Sequence, residues 1–286
     1  MKTAFIGLGI MGSRMAANLL KSGAGLTVFN RSAGPAQELE RLGARAAASC
    51  AEAVRDADVV FTMLSTPEVV RDVALSESGF VSAMKAGAIW VDCSTVDPSF
   101  SRWSGQTARD RGVRFVDAPV SGTKPNAERG DLVFLVGGDA GDVREIEPLL
   151  NVMGGKIIHA GETGRGAGLK MLINALLAQA MVVFSETVLL GEKLGFDRNF
   201  LLDTLPNTHV VAPFTKAKAE MIRKDEYEVN FPLEWMLKDL RLVERTAAEA
   251  DQPLYLARLA RELYAGADES GLGREDFAAI YRYLHD

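Results

Sequence analysis

The stretch KTAFIGLGIMGSRMAANLLKSG, residues 2–23, decides the fold. "KTAFIG" reads as a short buried strand, and "MGSRMAANLLKSG" has helical spacing with a glycine stop at Gly23. Between them "GLGIMG" sets Gly7, Gly9 and Gly12 in the spacing G-x-G-x-x-G, directly after a strand and at the opening of a helix. In that context Gly7 permits the tight turn, Gly9 lets a pyrophosphate approach the backbone, and Gly12 lets helix and strand pack closely. The N–H groups at the helix start attract phosphate. Gly7, Leu8, Gly9, Ile10, Met11 and Gly12 thus form a candidate dinucleotide-binding loop; the alternative is a structural glycine turn.

Outward from this unit the first half keeps alternating. "GLTVFN" is a second strand and "GPAQELERLG" a second helix. "ADVVFTML" and "GAIWVDCS" are buried strands separated by helical stretches, and "VRFVDAPV", "DLVFLVGG" and "KIIHAG" follow. This rhythm predicts an α/β fold, a doubly wound parallel sheet with helices on both faces. Beyond Gly168 the rhythm changes, and the segments to the C-terminus read as helices punctuated by Pro206, Pro213, Pro232 and Pro253. The expected organisation is a Rossmann-type domain over 1–162, a long connecting helix over 163–194 and an all-helical domain over 195–286, for substrate binding and oligomerisation.

The bulk numbers exclude several classes. With 286 residues, 48% of them hydrophobic, the chain can bury a sizeable core. A net charge of −6 does not favour a nucleic-acid surface. The two cysteines, Cys50 and Cys93, form no disulfide framework, so a reducing, cytoplasmic setting is expected. His159, His209 and His285 stand far apart without ligand spacing, and no metal is expected. The longest apolar run, "GAGLKMLINALLAQAMVVF", is interrupted by Lys170, Asn174 and Gln179, and predicts a buried helix of a soluble protein rather than a membrane span.

Cofactor choice turns on the end of the second strand, "VFNRSAGP". Asn30, Arg31 and Ser32 stand where a carboxylate usually holds an unphosphorylated ribose. Arg31 can pair with a 2′-phosphate, with Asn30 and Ser32 as donors, which predicts NADP(H) over NAD(H); the alternative is a solvated loop charge. Ligands bind beyond the carboxyl ends of such strands, which nominates Met63, Leu64 and Ser65 and, after the next strand, Thr95. Ser94 or Thr95 can equally cap the following helix.

Three further polar clusters stand out. "DAPVSGTKPNAERG" offers Ser121, Gly122 and Thr123 as a cradle for a carboxylate or carbonyl, or as an ordinary turn. "GRGAGLKMLIN" places Lys170 and Asn174 four apart, on one helix face. "NFPLEWMLKDLRL" contains Phe231, Lys238 and Asp239 and, by itself, reads as an amphipathic surface helix.

Taken in order, "FIGLGIMGSRMAANLLKSG", "DAPVSG", "GRGAGLKMLIN" and "FPLEWMLKDL" resemble the four signature regions of the β-hydroxyacid dehydrogenases, across nearly the whole chain. That family includes 3-hydroxyisobutyrate dehydrogenases and glyoxylate/succinic semialdehyde reductases. The resemblance implies that Lys170 is the catalytic lysine, that Ser121, Gly122 and Thr123 bind the substrate carboxylate, and that Asn174 orients the substrate. It implies that Lys238 lies near the nicotinamide with Asp239 beside it, that Phe231 helps close the pocket, and that the protein is a homodimer or homotetramer. Thr123 after Ser121-Gly122, and Ala175 after Asn174, bring the chain nearer the glyoxylate/succinic semialdehyde branch than to 3-hydroxyisobutyrate or other 3-hydroxyacid dehydrogenases. Lys170 argues against an imine reductase and, with Asn174 and the Ser-Gly turn, against a non-catalytic nucleotide-binding scaffold. A lysine in a partly dry site at a helix start is expected to have a lowered pKa.

Overall fold

The structure, a computed structural model, describes residues 1–23 and 25–285. The chain forms two compact units, Met1–Lys170 and Met171–Asp286.

The first unit alternates strands and helices: β1 (Thr3–Ile6), α1 (Gly12–Lys21), β2 (Leu26–Phe29), α2 (Ala33–Arg41), β3 (Arg45–Ala46), α3 (Cys50–Val54), β4 (Val59–Thr62) and α4 (Pro67–Val70). It continues with β5 (Ile89–Asp92), α5 (Pro98–Asp110), β6 (Arg114–Asp117), β7 (Val120–Ser121), α6 (Lys124–Arg129), β8 (Leu132–Gly137), α7 (Ala140–Met153) and β9 (Gly154–Gly161). The sheet order is β3-β2-β1-β4-β5-β6-β8-β7, with β9 paired to β8. From β1 to β6 every pairing is parallel, as the alternation predicts. Beyond β6 the sheet becomes mixed, because β8 runs antiparallel to β6 and to β7.

The strands alternate between two cores with the period of two that a pleated strand imposes. Phe5, Val59, Phe61, Ile89, Val91 and Val116 pack on one face with Met15, Leu19, Ile146 and Leu150 from the helices. Ala4, Ile6, Val60, Trp90 and Phe115 pack on the other with Val54, Phe80 and Ala108. This double burial explains why the strands read as continuous apolar runs. The helical stretch expected between β4 and β5 is broken. The four-residue α4 passes into a π-helical turn over Arg71–Leu75 and, later, a 3₁₀ turn over Phe80–Ala83.

A long helix, α8 (Arg165–Lys193), begins in the first unit and continues through the second. The second unit adds α9 (Arg198–Thr204), α10 (Thr215–Lys224), α11 (Leu233–Glu249), α12 (Tyr255–Ala267) and α13 (Ile280–His285) around a core that includes Met181, Phe184, Val188, Leu233, Met236, Leu240, Tyr264 and Phe277. Two sequence expectations change here. The α11 segment is no mere surface helix, since its apolar stripe lies in this core. And α8, long and apolar enough to cross a membrane by length and composition, is buried on one face only: Leu172 and Leu176 are 65% and 70% exposed, and Val183 and Leu190 are also exposed.

Candidate active site

In the first unit the carboxyl ends of β1, β2, β4 and β5 gather around the glycine loop. Gly7 has φ +93°, and a side chain there would meet the Met63 carbonyl and Leu64, so only glycine lets the two loops touch. Gly12 abuts the Gly7 carbonyl, whereas Gly9 and Ile10 are exposed and a side chain at Gly9 would enter open space. The start of α1 carries no side-chain cap and no acid in its first turn. An open glycine before an uncapped, acid-free helix start suits a pyrophosphate, so these residues fit a dinucleotide.

The structure reassigns the residues after β2. Asn30 accepts from the Leu8 N–H through Oδ1 (2.9 Å) and donates through Nδ2 to the Ser32 hydroxyl (2.9 Å). Both ends of its amide are engaged inside the protein, so Asn30 fastens the glycine loop to the β2 end. Arg31 is exposed, and among the described residues it has no hydrogen-bond or ion-pair partner.

Behind Met63 and Leu64 lies a buried chain that sequence reading missed. Trp90 Nε1 donates to Thr62 Oγ1 (2.8 Å), which donates to Asp92 Oδ1 (2.8 Å). The same oxygen accepts from the Ser94 N–H (3.0 Å), and Ser94 Oγ accepts from the Leu64 N–H (2.9 Å). These bonds lock the β4 and β5 loops together. Neither Ser94 nor Thr95 caps α5; Asp97 does, accepting from the Phe100 N–H (2.9 Å), with Pro98 in the first turn. Thr95 is half-buried. A cleft of about 330 Å³ in this unit lies elsewhere, lined by Lys2, Leu26 and Asp56 near the amino ends of β1 and β2.

Ser121 ends β7, paired with Val133 of β8. Gly122 has φ +129°, and a side chain there would press on Leu132 (2.9 Å). Thr123 is the N-cap residue of α6, and its N–H donates to Asn126 Oδ1 (3.1 Å). The backbone donor of Thr123 is thus occupied within the protein, and Ser121 precedes it at the end of β7.

The motif's aspartate was also overlooked. Asp117 is buried at the end of β6; its Oδ1 accepts from the Gly164 N–H (2.7 Å) and its Oδ2 from the Ala167 N–H (2.8 Å). It therefore caps the start of α8. Burial pushes its carboxyl up to about 6, against the pull of these amides, and the Asp92 charge adds to the rise.

Lys170 is 9% exposed, so its side chain does not reach out to solvent. Since α8 begins at Arg165, Lys170 lies in its second turn. One turn on, in the second unit, Asn174 is fully buried and donates through Nδ2 to Asp239 Oδ2 (2.6 Å). Asp239 Oδ1 lies 2.8 Å from Lys238 Nζ. A carboxylate only accepts, so the amide must turn its nitrogen to Asp239 and leave Oδ1 as the remaining acceptor. Phe231 is half-buried, packed on Phe277 with ring centroids 5.7 Å apart.

Comparison with known proteins decides the family. Residues 2–161 match the family described as the NAD binding domain of 6-phosphogluconate dehydrogenase, and residues 164–284 that described as NAD-binding of NADP-dependent 3-hydroxyisobutyrate dehydrogenase. The chain is 38% identical over 280 residues to glyoxylate/succinic semialdehyde reductase 2, chloroplastic, of Arabidopsis thaliana, covering 98% of this chain and 78% of that protein. The chain belongs to the β-hydroxyacid dehydrogenase family. To glyoxylate/succinic semialdehyde reductase 1 of the same plant this dehydrogenase is 35% identical, covering 98% and 97% of the two chains. Its fold superposes on Mycobacterium tuberculosis 3-hydroxyisobutyrate dehydrogenase with L-serine at a TM-score of 0.90 and 31% identity, covering 100% and 99%. Imine reductase structures at 21% identity share the fold alone.

Proposed function

We propose that this dehydrogenase is an NADP(H)-dependent reductase of small aldehydes bearing a carboxylate, of the glyoxylate or succinic semialdehyde type, or runs the reverse oxidation. The observation that carries this reading is Lys170, a lysine held almost out of water one helical turn before a fully buried asparagine. Lysine is among the residues least often buried, so its place here is distinctive. The likeness to two glyoxylate/succinic semialdehyde reductases over nearly the whole chain supports the substrate class. The structural likeness to a 3-hydroxyisobutyrate dehydrogenase favours a 3-hydroxyacid as the second reading.

A bound nicotinamide dinucleotide supplies the hydride. Gly7 to Gly12 would hold its pyrophosphate, Met63, Leu64 and Thr95 would contact it, and exposed Arg31 would pair with a 2′-phosphate. Negative charge grows on the carbonyl oxygen as its carbon is reduced, and the Lys170 ammonium stabilises that charge and donates the proton. Ser121 and the backbone of Gly122 take the carboxylate, with Thr123 as a hydroxyl donor. Asn174, whose Nδ2 is taken by Asp239, keeps Oδ1 as an acceptor for a substrate hydroxyl.

The exposed residues Leu176, Val183 and Leu190 recur every seven residues on α8, with exposed Leu172 one turn before them. Such a stripe suits packing against a second copy, supporting a homodimer or homotetramer. Both cysteines are free thiols, which suits a reducing compartment such as the cytoplasm.

The test is a substrate panel of glyoxylate, succinic semialdehyde, 3-hydroxyisobutyrate and a cyclic imine, run with both cofactors on the wild type and on Arg31→Asp. We expect turnover of the aldehydes with NADPH, and a shift of kcat/KM toward NADH in the variant of about tenfold or more, the loss of one charge-assisted pair. Turnover of the imine alone would sink the substrate class, and an unchanged cofactor ratio would sink the role of Arg31.

A further inference from the structure

Within the first unit, one carboxylate touches both chain segments that carry the proposed chemistry. Asp117 closes β6, and the backbone that leaves it reaches Ser121 four residues later. Its side chain meanwhile holds the Gly164 and Ala167 N–H groups at 2.7 and 2.8 Å, and Lys170 follows Ala167 by less than one helical turn. Two N–H bonds, one from just before the helix and one from its first turn, fix both the position and the rotation of that turn, because each oxygen of the carboxylate is committed to a different amide. The surrounding glycines make this joint tight. A side chain at Gly166 would collide with the Leu135 carbonyl and lie 2.9 Å from the Asp117 carbonyl, and one at Gly137, the residue paired with Asp117 on β8, would lie 2.6 Å from Asp117 Oδ1. The Gly164 backbone has φ +92°, with a side chain there barred by Arg102 (2.9 Å) and by the Pro98 carbonyl (3.0 Å). The helix start is thus seated on the strand ends with no slack for a methyl group.

We propose that Asp117 is a positioning residue for the reaction: it locks the start of α8 to the end of β6, and so sets where Lys170 stands relative to the Ser121 turn. It touches neither substrate nor cofactor. Its effect on turnover rests on Lys170 being the proton donor, whereas its effect on the placement of Lys170 does not.

The experiment uses the full chain, with Asp117→Asn as the variant, since an amide of the same shape offers one acceptor where two N–H donors need satisfying. Three readouts are taken: kcat and KM with NADPH and glyoxylate or succinic semialdehyde, NADPH affinity by fluorescence titration, and the rate of Lys170 modification by trinitrobenzenesulfonate, read by peptide mass spectrometry with Lys21 as internal control. The expected result is a kcat lowered at least about tenfold, NADPH affinity within about twofold of the wild type, and Lys170 modified at least about threefold faster with Lys21 unchanged. Native modification of Lys170 overturns the proposal whatever kcat does. So does a native kcat beside an inactive Lys170→Ala. If Lys170→Ala itself stays active, the proton-donor reading falls, and the modification rate alone decides the role of Asp117. Should Asp117→Asn fail to fold, Gly166→Ala displaces the same helix start with Asp117 intact, and the same results support or overturn the proposal.

Discussion

Two buried aspartates, one in each unit, solve the same electrostatic problem differently. Asp276 in the helical unit binds Lys218 Nζ at 2.7 Å, with the two side chains 0% and 7% exposed, and also accepts from the Asn230, Phe231 and Ala278 N–H groups at 3.1 Å. Lys218 further lies 4.4 Å from the centre of the Phe277 ring. Asp117 in the sheet unit has two amides at its oxygens and no salt bridge to any described residue. Amides alone leave its carboxyl raised to about 6, because burial outweighs them. In the other pair burial lowers the Lys218 pKa, and Asp276 opposes that fall. A charge held by a counter-charge is a permanent clasp, whereas a charge held by dipoles changes its state within the ordinary pH range.

Breaking the clasp is the largest expected effect. Lys218→Met keeps the volume but strands Asp276, and should destabilise folding by about 3–5 kcal/mol, measured by urea unfolding. A loss below about 1 kcal/mol would show that the ion pair does not organise the second unit.

The dipole-held aspartate is sharpened by pH. Its pKa rises from 3.8 unfolded to about 6 folded, so the folded state binds the proton more tightly. The stability this supplies is complete below the unfolded value and is lost as pH rises through the folded one. Relative to Asp117→Asn, the wild type should therefore lose on the order of 3 kcal/mol of stability between pH 4 and pH 7, as a two-unit shift implies. A difference that stays flat, or grows with pH, would contradict the assignment.

The smallest effect probes the edge of the clasp. Tyr264 is fully buried, and its hydroxyl has no hydrogen-bond partner among the described residues. Tyr264→Phe should change stability by less than about 0.5 kcal/mol or raise it, because no bond is lost and a polar atom leaves the core. A loss above 1 kcal/mol would mean that the hydroxyl has a partner after all.

The same contrast marks what was legible in the sequence. The continuous apolar strands, the glycine loop between β1 and α1, and the switch to helices after Gly168 are local signals, and the structure places them where they read. Asp117 lies 47 and 50 residues from the amides it holds, and Lys218 lies 58 from Asp276. No local pattern announces such bonds. The one available signal was an aspartate closing an apolar strand, in "FVDAP" and "WVDCS", where an acid at the edge of a core needs donors nearby. Asn30 shows the same limit nearer by: its bonds to the Leu8 N–H and the Ser32 hydroxyl, which join the glycine loop to the β2 end, are not announced by the sequence around it. The exposed face of α8 was hidden for a third reason, since an apolar run reads the same whether it meets a core or another surface.

The central claim is that buried Lys170 donates the proton in an NADPH-dependent aldehyde reduction. Lys170→Ala, assayed at saturating NADPH with glyoxylate and succinic semialdehyde beside a fluorescence titration of NADPH, tests it most directly. The account predicts a kcat lowered by about 10²–10⁴-fold with cofactor affinity unchanged within about twofold. A kcat within about threefold of the wild type would contradict it.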